Sequence, residues 1–70
     1  MPVVVKFADG TQQRFEDGID AFVTGESLVV VRRYEHERMP AYRVSQAIVE
    51  DDAHRVLKHV PGRAKSSLSA

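Results

Sequence analysis

Val3, Val5 and Phe7 alternate with Val4, Lys6 and Ala8, and the β-branched side chains among them favour a strand running into the turn Ala8-Asp9-Gly10. The return strand, Thr11 to Phe15, has two possible registers. A two-residue turn at Asp9-Gly10 sets Phe15 opposite Val4, whereas a three-residue loop with Gly10 in the left-handed bulge position sets it opposite Val3. The second gathers Val3, Val5, Phe7 and Phe15 on one face, beside Thr11 and Gln13, and leaves Lys6, Gln12 and Arg14 on the other. The pattern therefore predicts the three-residue loop.

Glu16-Asp17-Gly18 ends that hairpin, and Ile19 to Thr24 resumes as strand. Gly25-Glu26, glycine first, suits a type II′ turn into Leu28-Val29-Val30-Val31. Four apolar residues in a row fit the middle of a sheet, covered on both faces. Glu35 to Pro40 reads as a loop or the open end of a long hairpin, with Pro40 marking a strand start or edge, and Ala41 to Val44 restarts a strand. Beyond Ser45 two periods compete: Ile48 and Val49 can finish a strand, while Val49, Ala53, Val56, Leu57 and Val60 recur at helical spacing. A helix from about Asp51 is the expectation, with a longer one from near Ser45 as competitor. Asp51 and Asp52 supply a cap and an acidic first turn, Lys58 and His59 fall in the last turn, and Pro61-Gly62 stops the run. The fold class predicted is thus α+β: a small antiparallel sheet of about four to five strands, in two or three consecutive hairpins, with one C-terminal helix. Residues 1–62 form the domain, and 63–70 a mobile, basic, serine-rich tail.

Seventy residues allow one domain. An apolar share of 43% with 29% charged residues is globular, and argues against both a disordered chain and a membrane span. The absence of cysteine removes disulfides and thiolate metal sites as supports, so the core must hold the chain alone or with a partner copy. No basic-then-apolar leader opens the sequence, which makes a cytoplasmic location the expectation.

Net charge is zero, yet unevenly divided. Residues 1–27 set Lys6 and Arg14 against Asp9, Glu16, Asp17, Asp20 and Glu26, a net of −3, and after Asp52 only bases follow. Arg55, Lys58, Arg63 and Lys65 make a candidate basic end.

Candidate chemistry is sparse. His36, His54 and His59 include no pair at the i, i+4 spacing of two helical metal ligands, and Glu50-Asp51-Asp52 lacks the glycine and alternation of a calcium loop. No nucleophile sits in a recognisable frame, and the four glycines lie apart, so neither phosphate-cradling motif is present. No catalytic residue, metal or cofactor is therefore predicted, and no small-molecule substrate, because so small a domain has little interior to enclose one. The richest stretch is Arg32-Arg33-Tyr34, followed by Arg38, Tyr42 and Arg43, where guanidinium groups alternate with aromatic rings as at binding hot spots.

Two functions follow as expectations. The first is a non-catalytic protein-interaction module that pairs with itself as a homodimer, since a chain this short gains little net stability from its own core. The alternative is a small regulatory nucleic-acid-binding protein using the Arg/Tyr hairpin and the basic end, although Glu35 and Glu37 interrupt its positive field. The turn motif Phe7-Ala8-Asp9-Gly10-Thr11 with a second short hairpin is similar in a general way to many small bacterial and phage proteins, and implies no activity.

Overall fold

The computed structural model describes residues 2–64, and within them the chain is all β. The strands are β1 (Val3–Phe7), β2 (Gln12–Phe15), β3 (Gly18–Thr24), β4 (Ser27–Arg32), β5 (His36–Pro40), β6 (Val44–Glu50) and β7 (Val56–Pro61), with a 3-10 turn at Ala41–Arg43 between β5 and β6. They form two antiparallel sheets, ordered β2-β1-β6-β7 and β3-β4-β5. The α+β expectation is thereby overturned, as is its count of four to five strands.

The first hairpin takes the three-residue loop: Val3 pairs with Phe15, and Gly10 adopts φ +91°. The second closes on Gly25 at φ +59°, with Thr24 opposite Ser27, as a glycine-first turn requires. β4 lies in the middle of the three-stranded sheet, where Leu28, Val29 and Val30 are all buried. β5 is an edge strand, and Pro40 ends it. By the alternation of an antiparallel ladder, the Arg32 N–H to Glu35 carbonyl and Ala41 N–H to Glu26 carbonyl bonds turn Pro40 outward, where a missing N–H costs nothing. Ala41 to Arg43, expected to restart a strand, bend instead as a 3-10 turn, and β6 begins only at Val44.

The expected helix from Asp51 is instead a turn and a strand. Asp51 Oδ1 accepts from the amides of Ala53 and Arg55 at 2.8 Å, an aspartate turn rather than a helix cap, and His54 takes the left-handed conformation at φ 63°. A ten-residue helix is marginal unaided, and its proposed apolar face does not exist: Val56 and Leu57 are exposed, while Val60 is buried opposite Ala47 of β6. Long-range pairing thus outweighed a helical period carried by few residues. Pro61 ends β7 at the sheet edge, and Gly62 follows where a Cβ would lie 1.8 Å from the Val44 carbonyl oxygen.

The two sheets face one another. Val3, Val5, Phe15, Val44, Ala47, Val49 and Val60 from one meet Ala21, Leu28 and Val30 from the other in a single core. Apart from Phe15 and Leu28 these side chains are valine or alanine, which suits a thin core between short strands. Arg63 and Ala64, assigned above to the tail, donate their amides to the carbonyls of Ala41 and Val44; residues 65–70, with Lys65, lie outside the described residues.

Candidate functional site

The Arg/Tyr stretch does not form one surface. Arg32 is committed: its Nε lies 2.9 Å from Asp17 Oδ1 and its Nη1 2.8 and 2.9 Å from Glu35 and Glu37, with the guanidinium 5.5 Å from the Phe15 ring centroid. The Arg32 hydrogen bond holds the Asp17 carboxyl below its ordinary value, and the same acids raise Arg32. Arg33 and the 89% exposed Tyr34 stand at the β4–β5 turn. Arg38 lies on β5 paired with Val29, on the face away from the core, while Tyr42 and Arg43 sit in the 3-10 turn beyond the far end of β5.

The basic end is likewise divided. Arg55 closes the aspartate turn through its amide, Lys58 Nζ pairs with Asp20 Oδ1 at 2.9 Å, and Arg63 is held at Ala41. The histidines are apart. His59 contacts Gln46, and His54 approaches Glu50 and Arg14. No group of three His, Cys, Asp or Glu side chains able to hold a metal occurs among the described residues. No helix there is long and apolar enough to cross a membrane.

Two other features have the character of sites. The first is a seam where the edge strands β3 and β7 of the two sheets meet. Register shifts mark a bulge in each, between Gly18 and Asp20 in β3 and opposite Val49–Glu50 in β7, and the extra residues are Ile19 and Leu57. Each precedes a member of the Asp20–Lys58 ion pair, and each is exposed, Ile19 by 45% and Leu57 by 56%. Phe22 on β3, paired with Val29, and Val56 on β7, paired with Glu50, are also exposed, but each lies on the outer face of its own sheet, away from the core. The same strands resist backbone pairing with another chain. The outward amide of Ala21 is taken by Asp20 Oδ1 at 2.8 Å, and the Gly62 amide to Ser45 carbonyl bond fixes the ladder so that Pro61 faces out from β7.

The second is a cleft of about 440 Å³ between the β1–β2 turn and the Pro40–Arg43 corner. Phe7 and Met39, both packed against the core, line it together with Pro40, Tyr42, Arg43 and Asp9. The hydroxyl of Thr11 donates to Asp9 Oδ1 at 2.6 Å and its amide at 2.9 Å; these bonds first, and the Arg43 charge after them, hold the Asp9 carboxyl below its ordinary value. Of the residues singled out from sequence, only Tyr42 and Arg43 meet at this cleft. Sequence reasoning missed the seam because a bulge is a property of two paired strands, and missed the cleft because it forms between elements rather than inside the domain.

Comparison with known protein families, with curated proteins and with solved structures finds no match to this chain.

Proposed function

We propose that this chain is a non-catalytic interaction module that self-associates through the β3–β7 seam. The observation that carries it is the exposed apolar pair Ile19 and Leu57 flanking the Asp20–Lys58 ion pair. An ion pair at the centre leaves the seam without net charge, so two copies can meet on it about a two-fold axis without repulsion. Contact is through side chains, because Pro61 and the Asp20 carboxylate blunt the strand edges themselves. Leu28 to Val30, the other surface a sheet-mediated dimer would use, are buried within the folded chain, Leu28 and Val30 in the core between the sheets. The nucleic-acid alternative has less behind it, since Arg32 and Lys58 are neutralised by acids and Arg33 and Arg43 stand at opposite ends of β5.

The test is dilution followed by amide NMR shifts on the full chain. Self-association at the seam predicts concentration-dependent shifts centred on residues 19–22 and 56–58. Shifts confined to the Arg33–Tyr34 turn, or none between millimolar and micromolar protein, would reject it.

A further inference from the structure

We propose that the cleft between the β1–β2 turn and the Pro40–Arg43 corner binds a small apolar monocarboxylate, with Arg43 taking the carboxylate and Phe7, Met39 and Tyr42 enclosing its apolar body. This goes beyond the interaction reading and uses none of the seam residues. At about 440 Å³ the cleft falls in the range of small-ligand sites, roughly 300–1,000 Å³. Its floor is firm, because Phe7 and Met39 are partly buried against the core cluster. Tyr42, 67% exposed, supplies a ring at the rim that the fold itself does not cover.

The polar groups select the ligand's charge. The Arg43 guanidinium forms no hydrogen bond or ion pair within 4 Å of any described acid, whereas Arg14, Arg32 and Lys58 are all paired. Its planar fork matches a carboxylate in two parallel hydrogen bonds. Opposite it, Asp9 accepts both the Thr11 hydroxyl and amide through Oδ1 and adds a fixed negative charge to the cleft. That charge disfavours a dianion, and so points to a monocarboxylate rather than a phosphate ester. The backbone already holds Arg43 in place, its carbonyl accepting from the Ala8 amide at 2.9 Å.

The experiment is an amide NMR titration of the full chain with 3-phenylpropanoate, 3-phenylpropanamide and phenyl phosphate, repeated on Arg43→Gln and Arg43→Lys. The expected result is saturable shifts at Ala8, Thr11, Tyr42 and Arg43 for the carboxylate. Binding should be about tenfold weaker or more for the amide and for Arg43→Gln, as loss of a charge-assisted pair implies, partly restored in Arg43→Lys, and weaker for phenyl phosphate than for the carboxylate. Because the Ala8 bond uses the Arg43 carbonyl, an otherwise unchanged spectrum of Arg43→Gln shows that the fold is intact. Absence of saturable shifts, equal affinity for acid and amide, or shifts centred elsewhere would overturn the proposal.

Discussion

Lys58 Nζ lies 2.9 Å from Asp20 Oδ1, joining the outer strand of one sheet to the outer strand of the other. The same oxygen accepts the Ala21 amide at 2.8 Å, so Asp20 both closes the seam and occupies an edge donor of β3. The hydrogen bond from Lys58 first, and that from the Ala21 amide after it, lower the Asp20 carboxyl below the ordinary aspartate value of 3.8.

These two roles separate by mutation. Both side chains are nearly half exposed, and ion pairs of that kind contribute about 1 kcal/mol or less, so Lys58→Met should move the urea midpoint only slightly. Asp20→Ala should cost more, about 1–3 kcal/mol, because it also strands the amide of the fully buried Ala21. Equal costs in the two variants would show that the amide bond contributes nothing.

Acid should destabilise the chain, and Arg32 should account for part of the loss. Asp9, Asp17 and Asp20 are all held below 3.8 in the folded chain, so the stability they confer is complete above that value and lost as pH falls below it towards the folded values. In Arg32→Gln the Asp17 carboxyl loses its principal partner and returns towards 3.8. The variant should be less stable at pH 7, with a smaller gap between urea midpoints at pH 7 and pH 3 than the parent chain. An unchanged gap would mean that Asp17 does not contribute to the acid response.

Close packing sets two further expectations. Gly62→Ala would drive a Cβ into the Val44 carbonyl and must displace backbone, at a cost of about 1–3 kcal/mol, while Leu28→Ala should cost about 2–5 kcal/mol through a cavity between the sheets. Thermal melts compare them directly. A Gly62→Ala chain as stable as its parent would refute the close approach at Val44.

Much of the first half of the fold was legible because its information is local. Gly10 and Gly25 each dictate a turn, and the alternation of Val3, Val5 and Phe15 leaves one register in which the apolar face is continuous. The second half depends on partners remote in sequence. Val56 to Val60 carries both a helical and a strand pattern, and only the presence of β6, itself paired to β1, decides between them. The Arg/Tyr stretch misled for a related reason: sequence neighbours in it are separated by the length of β5, while Arg32 is drawn to Asp17, fifteen residues away. Ile19 and Leu57 stand out only once the bulges that display them are seen.

Self-association at the seam is tested most directly by light scattering on the purified full chain over a wide concentration range, alongside Leu57→Asp. The account predicts a mass rising from 7.9 kDa towards twice that value in the parent chain, insensitive to moderate salt, and a variant that stays at 7.9 kDa with an unchanged fold. A parent chain monomeric at every concentration, or a Leu57→Asp chain that associates as well as the parent, would contradict it.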